Sequence, residues 1–228
     1  MPKPKVIIFD VNETLLDLTP LRISVGKALQ GREDLLSLWF STMLHYSLVN
    51  TVTNNYQDFA QIGSAALNMV ATNQGISLSN EAAKEAIIGS ITKLPAHPDV
   101  IPSLTSLRNS GYHIVSLTNS SNAGVATQFS YAGLTDFFER RFSVEDVRTF
   151  KPAPRPYQWV LEELNVKPEE TLMVAAHAWD LIGAKAMGLK TAFIQRPGTT
   201  LYPETARPDY VVDSLTDLAS ILAKKQPQ

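Results

Sequence analysis

The chain contains no cysteine. That excludes disulfides, thiolate catalysis and cysteine-based metal sites. It has no block of like charge either. Its 20 basic and 22 acidic residues are interspersed and leave a net charge of −2, so nothing resembles a surface for nucleic acid or anionic lipid. No apolar run approaches the roughly 20 residues that a membrane-spanning helix needs. The first run, "VIIF" at Val6–Phe9, is only strand-length and too short for the apolar region of a signal peptide. The expectation is a cytoplasmic protein with no nucleic-acid partner and no membrane. What is present is an apolar fraction of 44% in 228 residues, enough for one sizeable domain or for one core carrying an inserted module.

Short runs rich in β-branched residues recur along the chain: Val6–Phe9, Tyr112–Thr118, Thr171–Ala176, Thr191–Ile194 and Tyr210–Val212. Each is almost continuously apolar, as expected of strands covered on both faces in a parallel sheet. Helical patterns lie between them. One places Val100, Leu104 and Leu107 on a single face and stops at Gly111; another aligns Tyr157, Val160, Leu161 and Leu164. Strands alternating with helices predict a doubly wound α/β fold.

One region breaks the alternation. Between 17 and 94 there is no strand pattern, only helical spacing. Leu36, Trp39, Phe40, Met43, Leu44 and Ser47 form one set, and Phe59, Ile62, Ala66 and Val70 another. Ser79 is a candidate N-cap for a third helix. The prolines of "LPAHPDVIP" read as the return linker. The predicted organisation is an α/β core from 1–16 and 95–228, with a helical cap at 17–94 inserted after the first strand. In open α/β sheets ligands bind beyond the carboxyl ends of the strands, so such an insert would overhang the site.

Four polar clusters fall at predicted carboxyl ends: Asp10 with Asn12, Glu13 and Thr14; Thr118 with Asn119; Lys151; and His177 with Asp180. Taken alone, Asp10 reads as a nucleophile, a metal ligand or a helix cap. A cap would not account for the lysine and the second aspartate.

In their order, and with a helical insert in the gap after the first strand, these clusters resemble the haloacid dehalogenase superfamily. The spacing of "FKPAPRPY" and the "AWD" that ends at Asp180 are most similar to its L-2-haloacid dehalogenase branch (type II). The resemblance spans essentially the whole chain. It implies that Asp10 attacks the substrate and forms a covalent ester, which water then cleaves. It also implies that Lys151 keeps Asp10 ionised, with Thr14 and Thr118 as hydroxyl donors.

Asn12 sharpens that implication. Phosphatases of the superfamily typically place a second aspartate here as general acid for an alkoxide leaving group. An amide has no proton to give, and a halide needs none. The acidic residue usual in magnesium-dependent members aligns with Ala176, and Asp10 and Asp180 alone make a sparse cage for a hard cation. No metal and no cofactor is therefore expected. Other departures bear on the substrate. The arginine usual after the cap tryptophan is Phe40 here, and Arg22 or Arg32 are the available substitutes. His177 stands where small polar residues are usual, and Glu13 where glycine is usual. A His177–Glu13 pair that activates the hydrolytic water is expected, with Asp180 as the alternative base.

Asn119 is a candidate donor to the leaving halide, and Asn12, Thr118, Tyr157 and Trp179 are candidates for the substrate pocket. Trp39, Phe40, Met43 and Leu44 read as cap core. His45, His97 and His113 have no metal-ligand spacing and are assigned no role. The expected activity is hydrolytic dehalogenation of short 2-haloalkanoic acids to 2-hydroxy acids. The expected partner is a small halogenated carboxylic acid, and the resemblance suggests a homodimer that uses the apolar helix around Trp39. The rivals are a phosphatase or phosphonatase on the same scaffold, and a non-catalytic protein that binds a small anion.

Overall fold

The computed structural model describes residues 3–224. Its centre is strand β1 (Val6–Phe9), where Ile7, Ile8 and Phe9 are fully buried. Burying each such side chain stabilises the fold by about 1.5–3 kcal/mol, which is why this apolar run takes the middle of the sheet. The other strands are β2 (His113–Thr118), β3 (Arg140–Ser143), β4 (Thr171–Ala175), β5 (Lys190–Ile194) and β6 (Tyr210–Val212). They form one parallel sheet in the order β3-β2-β1-β4-β5-β6. Val6 is in register with His113 on one side and Thr171 on the other. The chain goes to opposite sides of β1 for β2 and β4. The carboxyl end of β1 is therefore the topological switch point, where doubly wound sheets open a crevice.

Strand β3 was absent from the sequence reading. Its segment "RRFS" starts with two exposed arginines, and it lies at the edge of the sheet, where charged residues guard against unwanted pairing. Among the described residues no helix is long and apolar enough to cross a membrane.

Four helices lie between β1 and the rest of the sheet: α1 (Thr19–Ala28), α2 (Leu36–Val52), α3 (Phe59–Asn73) and α4 (Asn80–Ile91). The predicted cap at Ser79 is present, its hydroxyl accepting the Ala82 N–H at 3.1 Å. The indole of Trp39 donates to the Gly63 carbonyl at 2.8 Å and draws α2 onto α3. Trp39 is only 1% exposed, so it is internal to the helical layer and offers no surface for a second subunit. The exposed apolar side chains of α2 are Leu38, Tyr46, Leu48, Val49 and Val52. The chain leaves β1 and returns to α5 (Val100–Asn109) through adjacent segments. Asp17 N–H donates to the Pro95 carbonyl at 2.8 Å, and His97 N–H to the Leu15 carbonyl at 2.9 Å. The remaining helices, α6 (Asn122–Ala132), α7 (Pro154–Leu164), α8 (Ala178–Ala186) and α9 (Leu215–Lys224), cover the sheet.

Candidate active site

Asp10 follows β1 directly and is 5% exposed. Its backbone N–H continues the ladder to the Val174 carbonyl at 3.0 Å, so the sheet fixes its position. Each carboxylate oxygen has donors. Lys151 Nζ reaches Oδ1 at 2.9 Å, Thr14 Oγ1 donates to Oδ2 at 2.7 Å, and His177 Nδ1 lies 3.4 Å from Oδ2. Burial alone would raise the pKa of this carboxyl. The Lys151 charge and the hydrogen bonds from His177 and Thr14 outweigh burial and hold Asp10 well below the usual carboxylate range. It is ionised.

Lys151 is 1% exposed and its three donors are all used, on Asp10 Oδ1, on the Leu117 carbonyl at 2.9 Å and on Asp180 Oδ2 at 2.6 Å. Burial opposes its charge, but the two carboxylates more than offset this and raise its pKa. Asp180 sits in the first turn of α8, where the helix dipole favours an anion. It is completely buried, and its Oδ1 accepts the Tyr157 hydroxyl at 2.5 Å. Its pKa is raised, by burial first and by the Asp10 charge, against the pull of Lys151. Tyr157 therefore braces Asp180 and does not face the substrate pocket as expected. Gly183, one turn along α8, makes this packing possible. A Cβ there would lie 2.6 Å from the Pro152 carbonyl oxygen and 2.8 Å from the Tyr157 ring.

Among the described residues no group of three or more His, Asp or Glu side chains is placed to hold a metal. The ammonium of Lys151 lies between the two aspartates, 2.9 Å from Asp10 Oδ1 and 2.6 Å from Asp180 Oδ2.

His177 ends the β4 turn and is 9% exposed. Its Nε2 lies 3.0 Å from Glu13 Oε2, while Nδ1 faces Asp10. Both ring nitrogens face acceptors, which is the pattern of an imidazolium. Burial works against that charge, but the hydrogen bonds to Asp10 and Glu13 prevail and push the pKa up to about 9. The ring is stacked between Phe40 of α2, at 5.7 Å, and Trp179, at 5.3 Å. Glu13 has a left-handed backbone with φ of 64°, which explains a preference for glycine at this position and costs a larger residue roughly 1–2 kcal/mol.

A cavity of about 590 Å³ opens beside this stack. Its wall includes Glu13, Arg22, Phe40, Leu44, Ala176, His177, Trp179 and Arg196. Phe40 and Leu44, read from the sequence as cap core, pack against the core and also line the cavity, as Trp39 does; only Trp39 and Met43 of that set are deeply buried. Helical periodicity identifies an apolar face but not what covers it. Arg22 lines the cavity with only a loose ion pair to Glu33 at 3.7 Å, whereas Arg32 forks onto Asp34 at the surface and is not in the wall.

The amide candidates differ. Asn12 is half-buried and not in the cavity wall: it donates to Ser120 Oγ at 3.2 Å and accepts from Gln128 Nε2 at 2.9 Å, so its amide is engaged within the protein. Thr118 Oγ1 accepts the Ser120 N–H at 3.1 Å and likewise faces the protein. Asn119 Oδ1 accepts the Lys151 N–H at 3.0 Å, and its Nδ2 is buried without a partner; the indole N–H of Trp179 is also buried and unpaired. Two residues missed from the sequence contact the Asp10 loop. Arg196 donates twice to the Thr14 carbonyl, and His97 donates to the Glu13 carbonyl. Arg196 was findable, because it follows β5 at the same edge of the sheet as the other clusters. His97 gave no such signal.

A family model for haloacid dehalogenase-like hydrolases matches residues 4–188. Over 221 residues the chain is 29% identical to (S)-2-haloacid dehalogenase 1 from Pseudomonas sp. strain CBS-3, covering 96% of this chain and 97% of that one. It is also 29% identical over 221 residues to (S)-2-haloacid dehalogenase 4A from Burkholderia cepacia, covering 96% and 95%. A solved structure of L-2-haloacid dehalogenase from Xanthobacter autotrophicus, with chloropropionic acid covalently bound, superposes with a TM-score of 0.89 at 25% identity and covers 98% of this chain and all of that one.

Proposed function

Since the chain belongs to the haloacid dehalogenase-like hydrolases, we propose that it hydrolyses the carbon–halogen bond of 2-haloalkanoic acids through an ester on Asp10. The observation that carries the reading is the Asp10–Lys151–Asp180 cluster: an ionised carboxylate held by a buried ammonium, with an amide at position 12 already spent on Ser120 and Gln128. That set suits a leaving group that departs as an anion without needing a proton.

A carboxylate oxygen of Asp10 attacks C2, a C–O bond forms, and the C–halogen bond breaks with its electron pair on the halide. The orphaned Asn119 Nδ2 and Trp179 indole N–H supply donors for that developing charge. Attack from the side opposite the halide inverts C2.

The ester also changes His177. In the free enzyme the Asp10 charge helps keep the imidazole protonated. Once Asp10 is esterified that charge is gone, and His177 can lose its proton to the cavity it lines. Neutral His177, oriented by Glu13, then takes a proton from water as the water attacks the Asp10 carbonyl carbon. The tetrahedral intermediate breaks its bond to the substrate oxygen, His177 returns the proton to that oxygen, and the 2-hydroxy acid leaves. The remaining proton of the water then passes from the Asp10 carboxyl to His177, restoring the carboxylate and the imidazolium. Asp180 is the weaker candidate for this base, because Tyr157 and Lys151 enclose it completely.

We also assign the helices of 17–94 to a cap over the site, through Phe40, and a homodimer to the quaternary state. The direct test is halide release from 2-chloropropionate, with and without chelator, beside p-nitrophenol release from its phosphate ester. Halide release unaffected by chelator is expected. Phosphatase activity restored by magnesium would overturn the reading.

A further inference from the structure

The loop that follows Asp10 is held by groups outside it. The Glu13 carbonyl accepts His97 Nε2–H at 3.0 Å. The Thr14 carbonyl accepts Arg196 Nε–H at 3.3 Å and Nη2–H at 3.0 Å. The Leu15 carbonyl accepts the His97 backbone N–H at 2.9 Å. Three successive peptide planes are thus fixed from one side. Arg196 is itself anchored: its Nη1 donates to Asp99 Oδ2 at 2.9 Å, and the same oxygen accepts the Leu215 N–H at 2.8 Å. It is 8% exposed, and both it and His97 make these bonds from the wall of the cavity. Neither His97 nor Arg196 lies within hydrogen-bond distance of Asp10.

We propose that His97 and Arg196 are positioning residues that hold the Asp10 loop, each serving a different half-reaction. A fixed peptide plane fixes the direction of the side chain beside it. Glu13 has the strained left-handed backbone, and the adjoining carbonyl is the one His97 holds. His97 thereby keeps the Glu13 carboxylate on His177, the group that activates water. His97 serves as a donor in its neutral form with the proton on Nε2. Burial, and then the neighbouring Arg196 charge, lower its pKa and favour that form. Arg196 holds the carbonyl of Thr14, whose hydroxyl donates to Asp10 Oδ2. It thereby orients the attacking carboxylate. The His97 half of this proposal rests on the reading of His177 as the base.

The two roles separate in an experiment. His97→Leu removes the side-chain donor at a half-buried position and leaves the backbone bond to Leu15 intact. Displacements of about 1 Å around a reacting group reduce rates by up to roughly a hundredfold. His97→Leu is expected to lower kcat about tenfold to a hundredfold, to show a rapid halide burst of one per active site, and to accumulate an adduct on Asp10 by intact mass. His97→Gln, which restores a donor at similar reach, is expected to turn over within about threefold of the parent. If the leucine variant melts early, His97→Asn, too short to reach, carries the test with the same expected adduct. Arg196→Lys keeps the charge but loses the fork. It is expected to slow the burst itself by about tenfold with no adduct. Normal turnover in both His97→Leu and Arg196→Lys overturns the proposal. So does a loss of activity in the His97 variants without adduct. His177→Asn is the control. If it accumulates adduct while His97→Leu does not, the clamp is refuted and the base assignment stands. If it accumulates none, the base assignment falls and the His97 role falls with it.

Discussion

Replacing Lys151 with methionine removes the cation between Asp10 and Asp180 while conserving the length of the side chain. Two of the three Nζ contacts are to carboxylates, at 2.9 and 2.6 Å, and all three groups are buried. Charge-assisted bonds of this kind contribute about 1.5–3 kcal/mol each. Breaking a buried pair by deleting one partner costs about 3–5 kcal/mol, because the remaining charge is left uncompensated. We expect Lys151→Met to lose about 3–5 kcal/mol of stability near neutral pH, with dehalogenation abolished. The pH dependence is the sharper observable. In the parent, Asp10 has a depressed pKa, so its contribution is present above the unfolded value of 3.8 and is lost as pH falls through the folded value. In the variant, burial is opposed only by His177 and Thr14 at Asp10 and by Tyr157 at Asp180, and both carboxyl pKa values rise relative to the parent. The folded state is then penalised at neutral pH, and the penalty is relieved as the groups take up protons on acidification. The deficit should therefore shrink between about pH 7 and about pH 5. Urea unfolding of both proteins at the two pH values measures it. A deficit below about 1 kcal/mol that does not change with pH would mean that the pair behaves like a surface ion pair, and would refute this account of the cluster.

Other consequences follow from the same geometry. His177 has a folded pKa of about 9 against 6.5 for the free side chain. Its protonated form therefore stabilises the protein fully below about pH 6.5, by at most roughly 3 kcal/mol, and that contribution is lost as pH rises through about 9. Unfolding free energy should fall across this window in the parent, and the fall should flatten in His177→Asn. Gly183→Ala places a methyl 2.6 Å from the Pro152 carbonyl oxygen. We expect a loss of about 1–3 kcal/mol in thermal unfolding, together with a reduced kcat because Tyr157 and Asp180 must shift. Asn119→Asp keeps the acceptor for the Lys151 N–H but replaces the free amide donor with an anion. Halide release should fall about a hundredfold in kcat/KM, and stability at neutral pH should fall with it, because the new carboxylate oxygen is buried without a donor.

How much of this was legible in the sequence depended on the kind of signal. Strands buried on both faces announce themselves as continuous apolar runs, so the core of the sheet could be read from Val6–Phe9 and Thr171–Ala176. Strand β3 could not, because its edge position is managed with Arg140 and Arg141 instead of apolar residues. The clusters at Asp10, Thr118–Asn119 and His177–Asp180 were legible because each follows a strand at its carboxyl end, whereas Lys151 lies beyond the unread β3 and stood out through the spacing of "FKPAPRPY". Glu13 and His177 attracted notice as paired departures from a family pattern, and the structure sets them 3.0 Å apart. The misreadings concern residues whose type fits several environments. Phe40 has the same period whether it faces core or cavity, and it lies against His177. Tyr157 and Asn12 are polar at the right edge of the sheet, yet their polar atoms are used within the protein. His97 acts on a backbone carbonyl 84 positions away in sequence, a contact that no local pattern encodes.

The central claim is that Asp10 carries the substrate as an ester whose carbonyl carbon is attacked by water. A single turnover with enzyme in excess, run in water labelled with heavy oxygen, tests it directly. Attack at the Asp10 carbonyl puts the label into the aspartate and gives the 2-hydroxy acid the old carboxylate oxygen. The account predicts a heavy Asp10 peptide and unlabelled product after the first turnover. Label in the product of that turnover, with none on Asp10, would show that water attacks C2 itself and would contradict the account.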